Sequence, residues 1–552
     1  MNGPRTGANP ECPVMPSPPR MALVVIPFFV FAGVWMAFRR GFSGPLVTWS
    51  ELARERAGEL LSWLYLGVGA ASILVVFLAV VLIGTLRVGG PGAAPRLTPF
   101  EAVAVGFAAS TSIGLLFWAG GEPLFHAHNP PPVGTIAPMS GRAQVMARSA
   151  AYLHWGILAH MTFGLFMIGF AVATGTLGAR RSVESVIAGA RLRRRAAWGD
   201  LLDGIVFVFV ILALLAALAS AAVSITAQGL AISGMPLPQG VLTGVLVALV
   251  LTSVFIGARP MGRSLATTAR VSLVLLLVFL LIVLILGPKG YTIGGGGKAL
   301  WLMIREFPAL MFSGFLDGSQ GWAGQWTITH LGGWMLLGPL VGYALSRAAQ
   351  GYTIAQAVSY LVILPMLLTL LCILVLGGLT LSVDRPDGEL WTRLPMLGTD
   401  SALLLAMNEL WMPKTLRVLL LILSILFFVT FAGAATHAIV HIAVPGDDSD
   451  RRIIAERRAL LLVWTLGLGF GGWCLLHYGG MGVVASVSRL GAIPGVFIAL
   501  GAALAVFRLC LTPVRRLYPL VEEVDPVDRR GPKRGGAAEV VGTVKRAQRR
   551  KD

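Results

Sequence analysis

The chain has 552 residues, 56% of them hydrophobic and only 13% charged, with a mean hydropathy of +0.78. A soluble domain averages roughly 45–50% apolar and about 25% charged residues, so composition excludes an ordinary soluble globular protein. The net charge of +18 lies in loops and tail and forms no basic binding face, which argues against nucleic acid as a partner.

In chain order, residues 1–20 are proline-rich and predicted to be disordered on the cytoplasmic side. Twelve apolar runs then approach the roughly 20 residues a helix needs to cross hydrocarbon. They fall near 21–38, 60–84, 101–120, 148–176, 202–232, 238–257, 271–288, 326–346, 353–379, 415–443, 459–478 and 483–508. The first has no A-x-A-like cleavage site after it and is expected to persist as a helix. Arginines crowd into alternate loops, six of them within 177–200, and eleven Lys and Arg follow from Arg515 to Lys551. The positive-inside rule then predicts both termini in the cytoplasm. The expected fold class is an all-α polytopic membrane protein with 12 transmembrane helices in the cell membrane. Cys12, Cys372, Cys474 and Cys510 are too scattered for a disulfide framework or a zinc site.

The third run reads 108-AASTSIGLLFWAGGEPLFH-126. Ser110, Thr111, Ser112 and Gly114 interrupt it where a uniform span would be apolar. Freed backbone groups in lipid are tolerated only where they line a cavity or are buried in protein. Glu122 has two readings, a carboxylate that caps or pairs near the outer end, or a gating or proton-carrying group. The segment 289–325 begins with the Gly294–Gly297 run and is predicted to resume as an interfacial helix near 300–318. The segment 381–413 is an outer loop with a short helix near 399–411. The eighth run, 326-WTITHLGGWMLLGPL-340, carries Gly332, Gly333, Gly338 and Pro339 and is predicted to be interrupted like the third. Two interrupted spans, each opening a set of five (3–7 and 8–12), point to an inverted-repeat transporter. Close packing between helices uses the same small residues, and the pattern alone leaves both readings open. Residues 511–552 form a basic cytoplasmic tail, with anionic lipid as a candidate partner.

Several motifs in order resemble the betaine/choline/carnitine transporter family. They are 113-IGLLFWAGGEPLFH-126 with 130-PPP-132, then 154-HWGILAH-160, 322-WAGQWT-327, 338-GPLVGYALSR-347 and 427-FFVTFAGAAT-436, with RVGG at 87–90. The resemblance runs from about 21 to 510. It implies a LeuT-like core of two inverted five-helix repeats, about 101–288 and 326–508, preceded by two extra helices. It implies osmoprotectant uptake of a small quaternary-ammonium or zwitterionic compound of the betaine, choline or carnitine type, by alternating access. Sodium or proton coupling, or exchange, and a homotrimer in the cell inner membrane are implied with it. No organic cofactor or metal is expected.

The chain departs from the family where the chemistry matters. A trimethylammonium donates no strong hydrogen bond and is held by ring faces, at about 0.5–2 kcal/mol per ring. The resemblance puts two tryptophans and a tyrosine at 155, 160 and 163, where this chain has Trp155, His160 and Phe163. Of the eighth-span tryptophans, Trp334 remains, while Leu331, Gly333 and Leu337 stand at the others. Expected substrate contacts are Trp155, His160, Phe163, Trp334, Ser110 and Ser112. His160 and His330 offer hydrogen bonds, and His160 reads equally as a packed neutral histidine bonded to a carbonyl. The sodium-site Thr-Ser pair of the family is Thr430-Phe431 here, and a hard cation short of an oxygen is held less well. Ion or coupling candidates are Ala108, Thr111, Thr430 and Glu122. A carrier for another amine or amino acid, or a membrane sensor reusing the fold, are the alternatives. No nucleophile elbow, Walker A loop or catalytic carboxylate pair suggests an enzyme.

Overall fold

The computed structural model describes residues 18–110, 112–179, 181–188, 196–233, 263–312, 320–384, 389–397, 401–444 and 451–517. Twelve helices organise these residues: α1 (Pro18–Ile83), α2 (Pro99–Ala109), α3 (Ser112–His128), α4 (Gly141–Thr176), α5 (Ala196–Ser233) and α6 (Arg263–Leu286), followed by α7 (Lys289–Arg305), α8 (Thr327–Ala348), α9 (Ile354–Val383), α10 (Lys414–Ala443), α11 (Arg451–Cys474) and α12 (Gly480–Cys510). Among the described residues nine helices are long and apolar enough to cross a membrane, or ten if α2 and α3 form one bent span. The protein is a multi-pass membrane protein. The sixth predicted run, 238–257, and the tail beyond 517 lie outside the described residues.

The third predicted span is broken. Thr98 caps α2 in a reciprocal capping box with Glu101, so the helix starts at Pro99. It ends at Ser110, whose φ of −98° and ψ of −92° leave the helical region. The chain resumes as α3 at an angle of 63°.

Four expectations are corrected. The first two apolar runs were expected to form separate spans, but they belong to one helix of 66 residues. The linking stretch 51-ELARERAGELL-61 is built from strong helix formers, which gives the chain no reason to turn there. At about 1.5 Å per residue this helix is far longer than a bilayer is thick, and its Leu60–Ile83 stretch qualifies as a span. Residues 18–20, expected to be disordered, form its first turn.

The eighth span is continuous through Gly332, Gly333, Gly338 and Pro339. Its glycines serve packing. A Cβ on Gly342 would come within 2.3 Å of Phe166 Cβ and one on Gly338 within 2.3 Å of the Phe166 ring, so α4 lies directly against α8. On another side a Cβ on Gly332 would meet Ala492 of α12 at 2.6 Å, and Gly491 and Gly495 of α12 approach Leu336. The helix is irregular only before it begins, at Trp326.

The tetraglycine run was expected to precede the interfacial helix but lies inside α7. A Cβ on Gly295 would fall 2.1 Å from the buried Arg148 guanidinium, and one on Gly296 would fall 2.6 Å from Leu374. The glycines cut a notch through which Arg148 reaches the Thr292 carbonyl at 3.4 Å and stacks over the Tyr291 ring at 4.9 Å.

The RVGG motif clamps two loops. Arg87 Nη1 donates to the Gly351 carbonyl at 2.6 Å, and Val88 exchanges backbone hydrogen bonds with Tyr352 and Gly351. Gly89, at a φ of 91°, holds a left-handed conformation that disfavours other residues.

Candidate functional site

Helix α4 has a π-helical stretch at Tyr152–Leu158, a departure that recurs at functional sites. It aims two consecutive side chains at Glu122 of α3. His154 Nδ1 lies 2.7 Å from Glu122 Oε1, and Trp155 Nε1 donates to Oε2 at 2.6 Å. His126, one turn along α3, brings Nε2 to 3.2 Å of Oε1. From α8, His330 Nε2 lies 3.2 Å from Oε2. Glu122, His126 and His154 are fully buried. Four nitrogens therefore surround one carboxylate and tie together α3, α4 and α8. Burying a carboxylate requires such pairing, and Glu122 takes the pairing role that its sequence context allowed.

The histidines are oriented in turn. His154 Nε2 sits 3.1 Å from Thr327 Oγ1, and His330 Nδ1 sits 2.9 Å from the Trp326 carbonyl. The His154 and His330 rings stack with centroids 4.7 Å apart. Glu122, His126 and His154 also bring three ligating atoms within 4.8 Å of one another, the sole such trio among the described residues. Their spacing is that of a hydrogen-bonded cluster: ligands on a tetrahedral ion at about 2.0–2.1 Å stand roughly 3.3 Å apart, wider than the 2.7 Å contact.

Below this cluster the predicted ring faces meet. Trp155 and Trp334 pack edge to face at 5.2 Å, and Phe163 and Trp334 do so at 5.8 Å. Trp334 Nε1 donates to the His154 carbonyl at 3.0 Å, which fixes its ring against α4. Trp155 overlies the start of α3, where a Cβ on Gly114 would meet its ring at 2.8 Å. His160 links the box to the α2–α3 break. Its Nδ1 donates to the Gly156 carbonyl at 3.0 Å, and its Nε2 lies 3.3 Å from Ser110 Oγ. His160 is thus buried, bonded to a carbonyl and in contact with the break. Thr111 lies outside the described residues, as does the Ser112 side chain.

The ion candidates are placed as follows. Ala108 is buried in the last turn of α2. Thr430 is buried in α10, and its hydroxyl donates to the Leu426 carbonyl at 2.7 Å. Phe431 beside it is buried in the apolar core. Helix α10 reaches α2 through the Phe107 and Phe427 rings, 5.5 Å apart.

Two boundaries enclose this region. On one side Trp326 packs on Trp118 at 6.4 Å, Phe125 at 5.8 Å and His126 at 4.5 Å. There, too, His128 binds Asp384 at 2.6 Å and stacks on Trp391 at 4.7 Å. On the other side a cavity of about 100 Å³ reaches Ala109 at the break and is lined by Arg96, Val105, Ala344, Arg347 and His437.

The sequence pointed to Glu122, Trp155, Phe163 and Trp334 but not to the joint role of His126, His154 and His330. The spacing of four between Glu122 and His126 was a usable signal. Nothing local indicated that His154 and His330 share its carboxylate.

The profile described as betaine/carnitine/choline family transporter matches residues 21–512. An uncharacterized transporter of Mycobacterium tuberculosis is 25% identical over 87% of this chain and 82% of its own. A probable glycine betaine transporter of Desulfitobacterium hafniense is 25% identical, over 70% of this chain and 77% of its own. An osmo-independent choline transporter of Acinetobacter baylyi is 25% identical, over 73% and 77% respectively.

Proposed function

Since the chain belongs to the betaine/carnitine/choline family of transporters, we propose that it imports a small quaternary-ammonium or zwitterionic solute by alternating access. It is a transporter and not an enzyme. The observation that carries the substrate class is the meeting of Trp155, Phe163 and Trp334 beside the broken helix. Ring faces supply the attraction a trimethylammonium needs, and the exposed backbone at the break supplies polar partners for a carboxylate or hydroxyl. Ser110 and His160 stand where the polar end of the solute would lie.

The proposed architecture is two inverted five-helix repeats, spans 3–7 and 8–12, assembled as a homotrimer in the cell membrane with both termini cytoplasmic. The aromatic layer and the cavity opposite it support a conformation closed to the outside and nearer to opening inward. Phe431 offers no oxygen, which supports transport without a sodium requirement. The alternative, a carrier for another amine or amino acid, has one feature in its favour, His160 in a ring position of the box.

The test is uptake by the purified full-length protein in liposomes, offered labelled glycine betaine, choline, carnitine and amino acids in turn. Trp334→Leu is expected to raise the half-saturating concentration of the transported solute by about 5- to 30-fold, the equivalent of about 1–2 kcal/mol for one ring. Unchanged affinity in that variant would remove the ring-face reading.

A further inference from the structure

Proton bookkeeping around Glu122 leaves one proton to be accounted for. A backbone carbonyl only accepts, so the 2.9 Å contact from His330 Nδ1 to the Trp326 carbonyl fixes a hydrogen on Nδ1. A neutral His330 then presents a bare lone pair at Nε2, which lies 3.2 Å from Glu122 Oε2. Two lone pairs facing at that distance repel unless a proton lies between them. The other donors to Glu122 need no such addition. Neutral His154 donates from Nδ1 and accepts at Nε2 from the Thr327 hydroxyl. Neutral His126 donates from Nε2, and Trp155 donates its indole N–H.

We infer that Glu122 and His330 form a proton-binding site in which one proton, held between Oε2 and Nε2, latches α3 to α8 above the aromatic box. The proton comes from water, taken up by the Nε2 lone pair, and returns to water on release. The pair is then net neutral when occupied, as imidazolium and carboxylate or as imidazole and carboxylic acid. Release leaves a carboxylate facing a lone pair, and the two helices lose their direct bond. His330 provides the route to solvent: its side chain is 13% exposed, against 0% for Glu122.

Among the described residues no other charge lies in contact with Glu122 to take the proton's place. The titratable side chains brought against Glu122 are His126 of α3, His154 of α4 and His330 of α8. The neighbouring Trp322 and Trp326 add only uncharged rings. The latch also bears on the substrate box. Trp155 donates to the same Oε2 that holds the proton, and the His330 ring lies 5.8 Å from Trp155 and 6.1 Å from Trp334. Proton release would therefore loosen the gate and the ring faces together.

This inference deepens the transport reading by giving its cycle a proton-dependent gate, and its test uses no substrate, so the two fail separately. The full-length protein in lipid nanodiscs is followed by amide hydrogen exchange across a pH series, with rates corrected for intrinsic chemistry. Peptides from 112–128 and 327–334 are expected to exchange about 10- to 100-fold faster above a single pH step than below it, matching the loss of one charged hydrogen bond. His330→Gln carries an amide N–H that donates without titrating, so it is expected to stay protected at every pH. His330→Leu is expected to stay unprotected at every pH, while His126→Gln keeps the step. Protection independent of pH in the unaltered protein, or a step retained in His330→Gln, would overturn the inference. So would a step abolished by chelator and restored by zinc, which would assign the cluster to a metal.

Discussion

A carboxylate with no exposure survives in a membrane protein only if its oxygens are answered, and Glu122 has a partner on each side of both oxygens. Removing it strands three histidines and an indole at once. Glu122→Leu is therefore expected to destabilise the fold by about 3–5 kcal/mol, the cost of breaking a buried pair from one side. Thermal unfolding of the purified variants checks this, and a loss below about 1 kcal/mol would mean the cluster is loosely held. Thr430 should behave in the opposite way. Its hydroxyl only bonds its own helix one turn back, so Thr430→Ala should leave uptake and its response to sodium unchanged. A steep sodium requirement abolished by that substitution would show a cation site at Thr430. At this scale the sequence disclosed residue types and not partnerships. The helical spacing put His126 beside Glu122, but His154 and His330 reach the same carboxylate only because α4 and α8 pack across α3. Their convergence depends on a π-helical stretch that no local pattern announced.

Glycine explains both the success and the failure at the level of helices. The Ser110–Gly114 interruption was legible because polar residues accompany the glycine, and α2 and α3 do break there. The first glycines of α8 also follow polar residues, Thr327, Thr329 and His330, yet the helix runs through all its glycines. They are needed because another helix comes too close for a side chain. Gly342→Ala should cost about 1–3 kcal/mol, since its Cβ would meet Phe166 backbone and Cβ atoms that have little room to yield. Gly333→Ala has nothing within 4 Å and should be neutral or stabilise by up to about 1 kcal/mol through helix propensity. Melting temperatures of the two variants in one detergent decide between packing and interruption: equal losses would contradict packing. The same distinction accounts for the tetraglycine inside α7, where the notch admits Arg148. The fused first helix was missed for a different reason. Hydropathy separates apolar runs and Gly44-Pro45 reads as a turn signal, yet the helix formers of 51–61 carry one helix across the polar stretch.

Across the whole molecule, apolar run length determined the class, and family membership determined the kind of activity. The box and the break lie between an aromatic layer and a cavity, an arrangement suited to admitting a solute from one side at a time. Three rings, Ser110 and His160 are the side chains proposed to meet the substrate, and Phe431 supplies no hydroxyl to a coupling cation. Composition could not reveal that combination, because it arises from side chains on α2, α3, α4, α8 and α10 together. The most direct test is uptake by the full-length protein in sealed liposomes, from sodium-free medium across an inward proton gradient. Labelled glycine betaine, choline and carnitine are offered separately, with Trp334→Leu and protein-free vesicles alongside. The account predicts saturable entry of at least one solute without sodium, at a half-saturating concentration raised in Trp334→Leu. Entry of none of them above protein-free vesicles, or entry only when sodium is supplied, would contradict it.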